Sequence, residues 1–197
     1  MRERRSLGVV TRDDLLFEDE IQRLNGLVLT TPERTAFDLG RRDRIGRAVE
    51  RLDALARATD FKVSAVAELA AQHPHVRGLR QLDAALNLVN AGAESPRETA
   101  LRLLLIGAGY PRPRTQIPVF SADGRRQYYL DMGWEGPMLA VEYDGDHHRL
   151  DRAQFAHDIE RAEDLDDVGW LVVRVAARSR SADVLHRVRR AWNARMR

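Results

Sequence analysis

Asp131, Glu142 and Asp144 are the residues of this 197-residue sequence whose types and spacing most directly suggest chemistry. Asp131 closes one apolar stretch (YYLD), Glu142 and Asp144 interrupt the next (LAVEYD), and Gly133, Gly136 and Pro137 mark a turn between them. With a four-residue loop from Trp134 to Pro137, Gly133 faces Met138, Asp131 faces Ala140, and Glu142 is the diagonal neighbour of Asp131. Strand side chains alternate between faces, so the three acids share one face while Val141 and Tyr143 take the other. At about 5 Å and an effective dielectric near 20, each like-charge pair costs roughly 3 kcal/mol. A hard divalent cation relieves that repulsion. Magnesium, or manganese in its place, suits such a site because it needs only one or two carboxylates and fills its remaining positions with water and phosphate. On this reading Glu142→Gln stabilises the metal-free fold. A solvated hairpin edge also accounts for acids at the mouth of a turn, although the interior of an apolar strand is not where an edge requires them.

Two further candidates have competing explanations. Glu98 follows Ser95 by three residues with Pro96 between, which makes a capping box at a helix start and is by itself sufficient reason for a glutamate. It serves as a third site acid only if its carboxylate turns away from the backbone. His147 and His148 directly follow the acids, and because adjacent side chains diverge, at most one of them carries a proton or ligates a metal.

The elements that must position these groups are legible in outline. Ser95 to Gly107 reads as a helix, followed by extended runs near Thr115 to Phe120, Gln127 to Asp131 and Met138 to Asp144. A helix from about Asp151, a Val-rich strand from Trp170 to Val175, and a last helix with Leu185, Val188 and Trp192 on one face complete the order. Helix, three strands, helix, strand, helix is the pattern of a small α/β domain. The first half is mainly helical. An Asn25-Gly26 turn joins two short apolar runs as a hairpin, and Thr31 before Pro32 starts a helix. Ile45, Ala48, Val49, Leu52, Leu55 and Ala56 then repeat at helical spacing. Further helices lie near Val63 to Gln72 and along Leu79, Leu82, Leu86 and Val89. Asn90 to Glu94 is the junction, dividing a helical region of residues 1–90 from an α/β domain of residues 91–197.

Composition bounds the possibilities. With no cysteine, the chain has no disulfide, thiolate metal site or cysteine nucleophile. No apolar run approaches a membrane span, and none follows the basic start Met1 to Arg5, so the expectation is a cytoplasmic protein without a membrane partner. The sequence pI of about 9.4 contrasts with a net charge of only +2, because Lys62 is the only lysine and little titrates between pH 7 and 10. The positive charge is concentrated at the end, where Arg174, Arg178, Arg180, Arg187, Arg189, Arg190, Arg195 and Arg197 face Asp183 alone. Such arginines hold phosphates without reading sequence. A solvated helical face with intrahelical pairs, such as Asp158 with Arg161, is the alternative.

Residues 94–176 (ESPRET, YYLD, LAVEYDGDHH, HDIERAEDLDDVGWLVVRV) resemble a bacterial family, domain of unknown function 559, related to very short patch repair endonucleases within the PD-(D/E)XK nuclease superfamily. The resemblance implies a restriction-endonuclease-like domain that hydrolyses phosphodiester bonds of DNA, in repair or defence, with metal assistance. It implies Glu98 as the helix acid, Asp131 and Glu142 as metal ligands, Asp144 where the superfamily usually has lysine, and Asp158 and Arg161 on the following helix. Related repair enzymes without that lysine rely on a nearby histidine, which points to His148 or His147. Arg161, Arg174, Arg187 and Arg190 are the expected DNA contacts. The motif TTPERTAFDLGRR resembles the middle part of abortive-infection-type antitoxin proteins, which usually begin with a winged-helix DNA reader, so the chain reads as shortened at its start. A non-catalytic, antitoxin-like regulator on the nuclease framework is the rival expectation.

Overall fold

The computed structural model describes residues 3–6, 9–145 and 152–196, without the side chains of residues 3–6, 9–11 and 152–155. The fold is mixed α/β. Two hairpins come first: β1 (Glu3–Ser6) with β2 (Val9–Arg12), and β3 (Ile21–Leu24) with β4 (Leu27–Thr30). The second turns on Asn25 and Gly26, both at positive φ (49° and 80°), as an Asn-Gly turn requires. Four helices follow: α1 (Pro32–Arg42), α2 (Ile45–Thr59), α3 (Val63–Gln72) and α4 (Leu79–Leu86). The Thr31 hydroxyl caps α1 by accepting from the Arg34 N–H at 3.2 Å. Phe37, Val49, Leu52, Val66 and Leu82 form the core of this half. Beneath the second hairpin, buried Glu20 accepts from Arg34 Nη1 at 2.5 Å and is bonded to His73 Nε2 at 2.5 Å.

The second half is one four-stranded sheet with helices on both faces. Helix α5 (Pro96–Gly107) precedes β5 (Arg114–Phe120), β6 (Gln127–Trp134) and β7 (Leu139–Asp144). Helix α6 (Arg152–Asp167), β8 (Leu171–Ala176) and α7 (Ser181–Arg195) follow. The strand order is β5-β6-β7-β8, antiparallel except that β8 runs parallel to β7, with α6 as the crossover. One core packs α5 and α7 against Met132, Val141, Val173 and Val175. The other packs Leu165 of α6 against Tyr128, Leu130 and Ala140. No helix among the described residues is long and apolar enough to cross a membrane.

The junction between the halves is a packed turn. Ala93 is buried, Asn90 Oδ1 accepts from the Thr115 hydroxyl at 2.9 Å, and a Cβ on Gly92 would come within 2.3 Å of that hydroxyl. Helix α5 belongs to both halves. Its Leu101 and Leu105 enter the sheet core, whereas its Thr99 and Arg102 reach Asp53 on α2 at 2.8 and 2.7 Å, in a fully buried ion pair.

Two backbone details place the acids. Trp134 closes the β6–β7 hairpin against Leu139, and Gly133 lies across from Ala140. The loop is therefore Glu135 to Met138, one residue later than the sequence suggested. Gly133 is the reason: a Cβ there would lie 2.5 Å from the Leu139 carbonyl oxygen, so only glycine permits this close pass of the strands. Continued one step past Met132 and Val141, this register sets Asp131 across from Glu142 rather than from Ala140. A shift of two leaves the faces unchanged, so the shared face survives the correction.

The second detail is a break in the β5–β6 ladder at Gln116 and Asp131, where Gln116 has φ of 50°. On one side of the break Met132 and Trp134 enter the α5–α7 core; on the other, Tyr128 and Leu130 enter the α6 core. The outer part of the hairpin thus folds over toward α6, as a local disruption of pairing allows.

Candidate active site

Asp131 sits at this break, at the last point where β6 touches β7. Pairing with β7 ends at Met132–Val141, and the Asp131 carboxylate instead accepts the Tyr143 N–H at 2.8 Å. Burial drives its pKa up, and although the Tyr143 N–H opposes this, the neighbouring charges of Glu142 and Glu98 help to bring it to about 6. Asp131 is thus the acid whose charged form burial disfavours most, with the Tyr143 N–H and the charge of Arg161 offsetting part of that.

Glu142 is treated differently. It is buried on β7, and Arg161 of α6 grips it with both terminal nitrogens: Nη1 donates to Oε2 at 2.9 Å and Nη2 donates to Oε1 in a close contact. Nη2 also donates to the Tyr129 carbonyl at 3.1 Å, and the guanidinium carbon stands 5.8 Å from the Tyr128 ring centre. The hydrogen bond to Glu142, then the surrounding carboxylate charges, raise the Arg161 pKa against the opposing effect of burial. The expectation that Glu142 suffers unrelieved repulsion is therefore overturned. A cation nineteen residues away in sequence neutralises it, and the strain falls on Asp131 instead.

Both acids open into a cleft of about 330 Å³, lined also by Tyr143, Asp144, His157, Asp158, Arg161 and Arg174. Arg174 on β8 lies beside Glu142 in the parallel register, so the two share a face. Asp144 is exposed at the end of β7. The sequence reading thus identified Asp131, Glu142, Asp144, Asp158, Arg161 and Arg174 as site residues, and the structure brings all six to one cleft. It missed His157, an exposed residue on α6 whose ring stands 6.3 Å from that of Tyr128, edge to face. Its position one turn before Arg161 was the available signal. His147 and His148 lie outside the described residues.

Other expected residues are placed elsewhere. Glu98 does not line the cleft; it stays at the start of α5, where the Ser95 hydroxyl accepts the Glu98 N–H at 3.1 Å and the Glu98 carboxylate accepts the Glu94 N–H at 2.9 Å and the Ser95 hydroxyl at 2.8 Å, a variant of the expected capping box. Its charge nonetheless reaches Asp131. Helix α7 packs on the opposite face of the sheet through Val184, Val188 and Ala191, so Arg187 and Arg190 are not brought to the acids. Arg187 instead donates to the Arg174 carbonyl oxygen at 2.7 Å.

Among the described residues, no three His, Cys, Asp or Glu side chains are gathered closely enough to hold a metal ion. Four carboxylates of the described residues line the cleft, those of Asp131, Glu142, Asp144 and Asp158, and Asp131 and Glu142 are the half-buried and buried ones on adjacent strands. Hard oxygen donors of this kind fit magnesium, which accepts few protein ligands, and the charge on Asp131, which burial disfavours, is what a cation would relieve.

No model of a known protein family matches the chain, and no solved structure matches it. Two uncharacterized proteins of Mycobacterium tuberculosis, one from each of two strains, are 30% identical to it over 155 residues, which is 79% of this chain and 57% of theirs. The chain thus spans a little over half the length of these curated relatives. A match of that extent crosses from the helical half into the sheet half.

Proposed function

We propose that this chain is a divalent-metal-dependent DNA endonuclease on the restriction-endonuclease-like framework, related to the very short patch repair nucleases. The observation that carries this reading is that Asp131 and Glu142, from adjacent strands, line one open cleft that also holds two guanidinium groups. The element order also supports it: a helix, a three-stranded antiparallel meander, a crossover helix and a fourth strand parallel to the third.

In this mechanism Asp131 and Glu142 would hold magnesium or manganese. The metal would supply a Lewis acid for the scissile phosphate and lower the pKa of a water. The chain's own residues do the rest. The Tyr143 N–H fixes the orientation of Asp131, Arg174 holds a phosphate oxygen at the cleft wall, and the buried position of Glu142 on β7 sets where the reacting phosphate must sit. Asp144 cannot supply the charge of a lysine at its position. Arg161 and Arg174 provide the cationic balance in its place.

A second reading, a DNA-binding or antitoxin-like regulator that keeps the framework without catalysis, is favoured by one observation: both oxygens of Glu142 are occupied by Arg161. Plasmid relaxation decides between the two. Purified protein should nick supercoiled DNA in magnesium or manganese, and Asp131→Ala and Glu142→Ala should each lose nearly all of that activity. Nicking by either variant at the wild-type rate, in preparations free of contaminating nuclease, would overturn the site; DNA binding with no metal-dependent nicking would favour the regulator.

A further inference from the structure

We propose that Arg161 is an exchange residue: it occupies Glu142 in the ligand-free protein and passes to a phosphate oxygen of the substrate when a divalent cation takes Glu142, so that cation and phosphodiester bind cooperatively. The proposal rests on the reading of the cleft as a phosphodiester site.

The geometry supports it in three ways. First, the guanidinium fork spans both carboxylate oxygens of Glu142. A bidentate pair of this kind takes the facing lone pair on each oxygen, the pair a chelated cation would use, and sets a positive charge where a second one would have to enter. Cation binding at that edge of Glu142 therefore opposes Arg161 staying in place. Secondly, Arg161 has somewhere to go. It lines the same open cleft as Arg174, and besides Glu142 it touches the Tyr129 carbonyl and the Tyr128 ring on the outer part of the β5–β6 hairpin, with the charges of Asp131 and Asp158 also acting on it. A short swing of the guanidinium keeps it over that ring and turns its fork into the cleft, where a phosphate offers the same two-oxygen geometry as a carboxylate. Thirdly, the unequal treatment of the acids is what an exchange requires. Both oxygens of Glu142 are held by Arg161, while among the described residues Asp131 is held by a backbone N–H. Asp131 is thus the open half of the pair and Glu142 the guarded half.

Each ligand then removes what opposes the other. The phosphate draws Arg161 from Glu142 and frees it for the cation; the cation displaces Arg161 and frees it for the phosphate. Linkage makes the effect reciprocal.

The test reads cation affinity rather than turnover. Free Mn2+ is counted by electron paramagnetic resonance at pH 7.5, with and without a short duplex carrying phosphorothioate linkages, for wild type, Arg161→Gln, Arg161→Lys and Asp131→Asn. The duplex should tighten Mn2+ binding to wild type about tenfold or more. Without the duplex, Arg161→Gln should bind Mn2+ about tenfold more tightly than wild type and gain little when the duplex is added. Asp131→Asn should lose the site, which locates the bound ion. Arg161→Lys keeps the charge but cannot span both oxygens, so it should shift the affinity in the same direction by a smaller factor, and it decides the matter if Arg161→Gln does not fold. Unchanged or weaker Mn2+ binding in the folded arginine variants, with wild type binding the ion at Asp131, would overturn the exchange and leave the nuclease reading in place. No Mn2+ binding and no nicking by wild type would overturn both.

Discussion

Asp131→Asn removes a charge that the fold holds at a disadvantage and leaves an oxygen to accept the Tyr143 N–H. The folded carboxyl has its pKa raised from 3.8 to about 6. Between those values the folded protein binds more protons than the unfolded chain, so stability contributed by this group is present below pH 3.8 and is lost as the pH rises through 6. At 1.36 kcal/mol for each decade of affinity, the charged form costs about 3 kcal/mol at pH 8, an upper figure because the side chain keeps some contact with solvent. For a protein of this length each kcal/mol moves the melting temperature by roughly 2–4 °C. In chelator at pH 8, Asp131→Asn should therefore melt above wild type by up to about 12 °C, and the gap should close toward pH 4. Taking the difference between variant and wild type at each pH removes the contributions of the other carboxylates. Magnesium should raise the wild-type melting temperature and leave the variant unaffected. A variant less stable than wild type at pH 8, or a gap that does not change with pH, would refute the assignment of Asp131 as the strained acid.

Glu142→Gln should do the opposite, destabilising the metal-free protein by about 2 kcal/mol at pH 7 in denaturant unfolding, because it leaves the Arg161 guanidinium without its carboxylate. Asp53→Ala should lower stability by roughly 3 kcal/mol or more by the same measurement, since Arg102 and Thr99 then lose a buried partner. In duplex binding measured against salt, Arg174→Ala should reduce the slope by about 0.9, one phosphate contact, whereas Arg190→Ala, on the helix across the sheet, should leave it unchanged.

Much of the frame around the site was legible because it depends on local rules. The Thr31-Pro32 and Ser95-Pro96 helix starts, the Asn25-Gly26 turn and the alternation that sends Val141 and Tyr143 away from Glu142 all follow from neighbouring residues. The register of the hairpin was not, since it is set by the contact of Gly133 with the carbonyl of Leu139, and a turn displaced by one residue preserves every local signal. The pairing of Arg161 with Glu142 was also out of reach. Helical periodicity identifies which face of α6 is apolar, but not which acid on a strand a given arginine will meet. Spacing pointed only to Asp158, three residues back, whose charge does act on Arg161. The face reversal at Gln116 has no glycine to announce it, and it is this reversal that brings Tyr128 and Tyr129 to Arg161.

The shared helix α5 limits how this protein can be taken apart. Its Leu101 and Leu105 hold the sheet, while Arg102 is sealed against Asp53 of the helical half. A cut at the Asn90 to Glu94 turn would leave Arg102 on one fragment and Asp53 on the other, each a charge formerly shut away from water and now facing a bared apolar surface. Each piece keeps the apolar cluster built from its own residues but loses the buried ion pair that joins the two. The sheet half therefore cannot be moved onto another protein as a portable module unless the new host presents an acid at the position of Asp53, and any rearrangement of this chain has to transfer that one aspartate along with the helix it serves.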